Sequence, residues 1–301
     1  MADAESATQE QPPKRADGAR RVVRFLRNVA ILLGGALATL YLGALVYLYV
    51  SQRDLLFQRD TAPLDAPEQG SIYHASQILE PDGTRLTIWQ APAARRGLGT
   101  FVLFYGNAAS VLEFADTGEE IHREGFAVVL ASYRGYSGNS GSPSEAGLMS
   151  DARAVLAALP KDSGPIVLWG HSLGSGVAAR MASEGRASAL VLESPFTAAV
   201  EVAANAYPFF PVRLLMRDRF DTLALVPRIQ VPVLILHGTE DQAIPFAMGA
   251  TLARAFGRRA TLVPVLGADH NPDPVDLWPS VRAWLRAHWD AIQGSKAVAR
   301  K

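Results

Sequence analysis

The 301-residue chain contains no cysteine. That excludes thiol nucleophiles, disulfide frameworks and cysteine-held metals. It leaves the compartment open, because a cysteine-free chain survives in either redox environment. Lys+Arg and Asp+Glu both number 29, so the net charge is zero, and composition offers no electrostatic argument for a nucleic-acid partner. The six histidines show no H-E-x-x-H or related spacing, so neither a metal nor another cofactor is expected. Internal repeats and long low-complexity tracts are also missing. Charged residues make up only 19% and hydrophobic ones 49%, enough for one sizeable core plus something extra.

Charge is missing altogether from Asn28 through Gln52. This stretch is long enough to cross a hydrocarbon layer of about 30 Å as a helix, which needs ~20 residues. Tyr41, Tyr47 and Tyr49 cluster toward its far end, as interfacial aromatics do, and Gly34, Gly35 and Gly43 are better tolerated in a spanning helix than in a soluble one. Residues 28–52 are therefore expected to be a transmembrane anchor. A cleaved signal peptide has a shorter apolar run and a small-residue cleavage site, and a buried core helix would be shorter and lack the basic flank. Residues 1–27 read as a disordered basic tail, polar at first and then carrying Arg20, Arg21, Arg24 and Arg27. Those arginines predict a cytoplasmic N-terminus and place the rest of the chain across the membrane (periplasmic in a bacterium), although Arg53 and Arg59 partly balance the bias. Residues 53–70, with Pro63 and Pro67, read as a linker, 71–294 as one domain, and 295–301 as a tail.

Within that domain Ile72–Leu79 and Thr84–Ala91 alternate around Pro81-Asp82-Gly83 and read as an antiparallel hairpin. From Thr100 unbroken apolar strands alternate with helical segments. The strands are Phe101–Tyr105, Ala127–Ala131, Ile166–Trp169, Ala189–Leu192, Val231–Leu236 and Thr261–Val265. The intervening helices lie near Val111–Glu124, Glu145–Leu159, Phe246–Phe256 and Pro279–Ile292. This pattern predicts an α/β fold with about eight strands, mostly parallel and covered by helices on both faces.

The third of those parallel strands runs into Gly170-His171-Ser172-Leu173-Gly174 and then a helix. A serine on a strand–turn–helix, flanked by glycines two residues to either side, fits the strained G-x-S-x-G elbow that lifts a hydroxyl clear of a sheet. A serine hydroxyl needs a base to take its proton and an acid to orient that base. In an open parallel sheet both should lie in loops at the carboxyl ends of strands. His270, after the last strand, is the candidate base. Asp241, in His237-Gly238-Thr239-Glu240-Asp241, is the candidate acid, with Glu193 as second choice. His237 is expected to shape its turn, and His171 to point elsewhere. The backbone N–H of Leu173 and that of Asn107, in the loop Gly106-Asn107-Ala108, are the candidate oxyanion donors. An insertion at about 195–228 interrupts the alternation where a lid would overhang the serine. Phe196, Tyr207 and Phe209 within it are candidate acyl contacts, or else core aromatics.

In combination, Phe104-Tyr105-Gly106-Asn107-Ala108, Tyr133-Arg134-Gly135-Tyr136, the serine elbow, Glu193-Ser194-Pro195-Phe196-Thr197, His237–Asp241 and His270-Asn271 resemble the α/β-hydrolase superfamily. The likeness is to its single-pass, membrane-anchored ABHD-type branch. It spans roughly residues 100–275. It implies the α/β-hydrolase fold, a serine-hydrolase mechanism, and ester or thioester substrates, lipid-derived ones among them; the apolar anchor adds that the serine works beside a membrane, and the charge balance that no nucleic acid is a partner. Ser132 stands where the family often has Asp before Tyr-Arg-Gly, and Asp269 where it often has Gly before the histidine. Two other readings stay open at this level. One is an acyltransferase using the same three residues; the other is a catalytically idle, membrane-tethered interaction module.

Overall fold

Continuous Val, Leu and Ile runs can be buried on both faces only at the middle of a covered sheet, and these runs form one. In the computed structural model of the chain, which describes residues 15–94 and 98–295, eight strands make a single sheet. They are β1 (His74–Leu79), β2 (Arg85–Ala91), β3 (Thr100–Phe104), β4 (Ala127–Ala131), β5 (Ile166–His171), β6 (Ala189–Glu193), β7 (Val233–Gly238) and β8 (Ala260–Val265). Their order is β1-β2-β4-β3-β5-β6-β7-β8. The β1–β2 and β2–β4 pairs are antiparallel and all others parallel. Strands β3, β5 and β6 are buried along their whole length. The expected sheet and its leading hairpin are the observed ones. Asp82 closes the hairpin turn by accepting the Thr84 N–H at 2.9 Å.

Helices α2 (Ala115–Arg123), α3 (Glu145–Ala157), α4 (Leu173–Ser183), α8 (Phe246–Phe256) and α9 (Pro274–Gly294) cover the sheet, while α5 (Ala199–Ala206), α6 (Val212–Leu215) and α7 (Thr222–Leu225) lie in the insertion between β6 and β7. The insertion is closed at its base by a bridge between Ala198 and Asp221. Helix α9 begins at Pro274 rather than near Pro279. Asp273 caps it by accepting the Val275 N–H at 3.0 Å, and Pro274 takes the first position, where a missing N–H costs nothing. From β3 the chain steps to β4 on one side and, later, to β5 on the other. A crevice at the carboxyl ends of β3 and β5 follows from that reversal.

The N-terminal part, up to Ser51, is a separate unit. It belongs to α1 (Arg15–Leu56), a helix of 42 residues. Helical structure thus begins within the stretch expected to be a disordered tail, so Arg15–Arg27 is helical; residues 1–14 and 296–301, expected as tails, lie outside the described residues. The helix contains a window of mean hydropathy 2.2 and is long and apolar enough to cross a membrane by length and composition. Its apolar side chains are exposed, Leu32 at 73% and Val50 at 71%. The stretch expected as a linker is only partly one. Helix α1 continues through Leu56, Phe57 is buried, and Ser137 donates its N–H to Asp60 O at 2.7 Å.

Candidate active site

Ser172 sits between β5 and α4 with φ +49° and ψ −115°, a conformation that a non-glycine residue adopts only where its surroundings impose it. Two glycines allow this turn. A Cβ on Gly170 would lie 2.2 Å from Gly174 O, and one on Gly174 would lie 2.1 Å from Phe104 O. Both neighbours are backbone atoms, so neither clash could be relieved by a side-chain rotation. The serine N–H donates to Glu193 O at 2.9 Å, and its carbonyl accepts from Ser175 N and Ser175 Oγ at 3.0 and 2.6 Å. The elbow is thereby pinned to β6 and to the first turn of α4.

The loops after β7 and β8 bring their side chains to this hydroxyl. Ser172 Oγ lies 2.9 Å from His270 Nε2, and His270 Nδ1 lies 2.8 Å from Asp241 Oδ2. The other carboxylate oxygen accepts the N–H groups of Ala243 and Ile244 at 2.9 and 2.7 Å. Burial opposes charge on Asp241, but hydrogen bonds from His237, His270 and Ile244 outweigh it and hold the carboxyl well below the usual carboxylate range. Asp241 therefore stays an anion, placed to accept an N–H from His270 Nδ1 while Nε2 faces the serine hydroxyl. Glu193, the second choice for the acid, is turned elsewhere: it accepts the Trp169 indole N–H at 2.7 Å.

His171, expected to point away, is instead a brace beneath the site. Its Nδ1 lies 2.8 Å from Glu113 Oε1 and its Nε2 lies 3.2 Å from His270 O. The same carbonyl accepts the Ser194 hydroxyl at 3.0 Å, so the backbone of His270 is held from two sides. Glu113 also accepts the Gly106 N–H at 3.3 Å, which joins the loop after β3 to the loop after β8. Burial disfavours the imidazolium, but Glu193, Glu113 and the His270 carbonyl more than offset it and raise His171 to about 9. Burial likewise pushes Glu193 up to about 7. His237 does shape its turn: it is buried, with Nε2 2.8 Å from Ile244 O and 3.3 Å from Asp241 Oδ2.

The brace has a consequence for stability. A histidine raised in the folded state from 6.5 to about 9 contributes stability that is complete below pH 6.5 and lost as pH climbs through 9. At 1.36 kcal/mol per pKa unit the full effect is on the order of 3 kcal/mol. Urea unfolding of the wild type between pH 6.5 and 9 is expected to show this decline. A His171→Gln variant, less stable at pH 6.5, should keep only the part of the decline that Glu193, raised to about 7, contributes. Parallel pH dependences for the two proteins would remove the assignment.

Leu173 opens α4, where the first N–H groups of a helix have no intrahelical acceptor, and so can offer one to an oxyanion. Asn107 lies in the loop after β3 and follows Gly106, where an added Cβ would stand 3.4 Å from Ser172 Cβ. Tyr133, from the Tyr-Arg-Gly-Tyr loop, donates its hydroxyl to Tyr105 O at 3.2 Å and supports that loop. Of the two unusual positions, Ser132 pairs with Tyr105 and Asn139, and Asp269 accepts the Asn271 N–H at 3.0 Å. In the insertion Phe196 is a core residue, 3% exposed and packed beside Gly176, whereas Tyr207 is 40% and Phe209 85% exposed. The core alternative therefore holds for Phe196, and it is not placed as an acyl contact. Among the described residues no cluster of His, Asp and Glu could hold a metal.

A family model described as alpha/beta hydrolase fold matches residues 99–221. An uncharacterized protein of Mycobacterium tuberculosis is 35% identical over 240 residues, covering 77% of this chain and 84% of that protein. The alpha/beta hydrolase domain-containing protein WAV2 of Arabidopsis thaliana is 30% identical over 220 residues, covering 65% and 71%. Lysophosphatidylserine lipase ABHD12 of Danio rerio is 38% identical over 149 residues, 42% of this chain but only 39% of the lipase. Among solved structures, Est1E of Butyrivibrio proteoclasticus with bound ferulic acid superposes with a TM-score of 0.62 at 19% identity, covering 71% of this chain and all of that one. That likeness concerns the fold.

Proposed function

The chain belongs to the α/β-hydrolase superfamily, and from that premise we propose that it is an ABHD-type, membrane-anchored serine hydrolase. It cleaves carboxylic esters or thioesters of lipid origin through an acyl-enzyme on Ser172. What supports the reading most is the unbroken hydrogen-bonded chain from Ser172 Oγ through His270 to Asp241, at 2.9 and 2.8 Å. Ser172 Oγ attacks the ester carbon as its proton passes to His270 Nε2. The carbonyl oxygen becomes an oxyanion facing the N–H groups of Leu173 and Asn107. Collapse expels the alcohol, which takes the proton from His270. Water then repeats the sequence against the acyl-serine and releases the carboxylic acid. Asp241 stabilises the imidazolium at each transfer.

A lipid-derived acyl group is supported by the outward apolar residues of the insertion, with Phe209 and Leu214 at 85% and 81% exposed. The apolar helix and the lipase named among the relatives point the same way. With the arginine-rich end of that helix on the cytoplasmic side, the site faces the opposite compartment. The full-length protein in detergent should hydrolyse p-nitrophenyl esters with kcat/KM rising along the series from acetate to octanoate. The increase is bounded at about fourfold per methylene if each is fully buried. A flat or falling series would contradict the lipid assignment while leaving ester hydrolysis in place.

A further inference from the structure

We propose that Asn107 is a positioning residue whose side chain fixes its own backbone N–H in the oxyanion hole. Its anchorage on Leu56 and Gln58 makes the end of the apolar helix a working part of the site. The Asn107 amide is gripped at both ends. Its Nδ2 donates to Leu56 O at 2.7 Å, and its Oδ1 accepts from Gln58 N at 2.9 Å and from the Tyr136 hydroxyl at 3.0 Å. The donors and acceptors admit one orientation of the amide, because a flip would set its NH₂ against an N–H and leave its oxygen facing a carbonyl.

The partners are themselves immobilised. Leu56 O is a carbonyl of the last turn of α1, without an intrahelical partner until Asn107 supplies one. Phe57 is 1% exposed, its ring 6.2 Å from that of Phe220. Arg53 donates to Asp218 at 2.8 Å. Tyr136 is buried against Tyr105 and Tyr133, with ring centroids 5.9 and 5.7 Å away. The loop needs such a hold, since the next residue, Ala108, sits at φ +57°, where a side chain is strained unless its neighbours enforce the turn. Gly106, on the other side, is tethered to Glu113. Asn107 is the point at which the loop after β3 is tied to the segment leaving the apolar helix.

Oxyanion stabilisation acts on the transition state, so loosening the donor should lower kcat and leave KM nearly unchanged. In the full-length protein assayed with p-nitrophenyl butyrate, Asn107→Ala, which keeps the backbone N–H, is expected to lower kcat about 10²-fold. Tyr136→Phe and Gln58→Pro, each removing one donor to Oδ1, should lower it about five- to tenfold. Neither should reduce it further once Asn107 is alanine. If Gln58→Pro melts without a cooperative transition, Phe57→Leu loosens the same segment in its place. A kcat for Asn107→Ala within twofold of wild type would overturn the proposal, as would losses that simply multiply in the double variants. The inference rests on Ser172 being the nucleophile, and Ser172→Ala run in parallel separates the two. Turnover surviving in Ser172→Ala defeats the underlying reading; turnover lost there but intact in Asn107→Ala defeats only the clamp.

Discussion

Replacing Ser172 by alanine is expected to reduce ester turnover on the order of 10⁶-fold, down to background, while the fold persists. The size of the effect follows from the role. Without Oγ no acyl-enzyme forms, and His270 and Asp241 have no proton to move. The structural cost is small by comparison. The lost contact is one hydrogen bond of 2.9 Å to His270, a net contribution of about 1 kcal/mol. Alanine meets the φ of +49° with the same Cβ that serine already carries. A melting curve within a few degrees of wild type, together with absent turnover, is the expected pair of results. Preserved turnover would remove Ser172 from the chemistry.

The second large effect is expected at Asp241. Asp241→Asn changes one atom, and its surroundings dictate which way the amide faces. Oδ1 accepts two backbone N–H groups, from Ala243 and Ile244 at 2.9 and 2.7 Å, so that position must remain an oxygen. The NH₂ is then forced to the position of Oδ2, against His270 Nδ1 at 2.8 Å. To accept that N–H the imidazole must move its proton to Nε2, where it can no longer receive one from Ser172. The wrong tautomer in an intact geometry is expected to lower kcat about 10⁴-fold, with KM little affected. A loss smaller than tenfold would show that Asp241 does not set the state of His270. Glu193, already committed to Trp169 Nε1 at 2.7 Å, would then become the acid to examine by the same substitution to the amide.

Much of this arrangement was legible in the residues because it is carried by local pattern. Unbroken apolar runs such as Ile166–Trp169 announce buried strands, and glycines two residues on either side of Ser172 announce a turn too tight for a Cβ. His270 and Asp241 could be nominated because loops after parallel strands share one edge of the sheet. What escaped was non-local. His171 meets Glu113 across 58 residues, and Asn107 meets Leu56 across 51. Nothing in either segment signals the other. The clamp was further hidden because residues 53–70 carry prolines and few apolar residues and so read as a linker, although Phe57 alone is enough to bury the start of it. Arg15–Arg27 read as a tail because positive charge suggests solvation, yet arginine is a good helix former and prolongs a helix already nucleated by the apolar stretch. The start of α9 was missed for a smaller reason. The helix was expected from near Pro279, while Asp273-Pro274 supplies the earlier start, a capping carboxylate followed by proline at the first position.

Covalent attack by Ser172 can be mapped directly. The full-length wild-type protein would be treated with a fluorophosphonate, digested with trypsin and sequenced by mass spectrometry. The expected product is a single phosphonylated serine, Ser172, within the tryptic peptide Asp162–Arg180. An adduct on Ser175 of the same peptide or on a residue outside it would rule out Ser172 as the nucleophile, as would a folded wild-type protein that takes up no label.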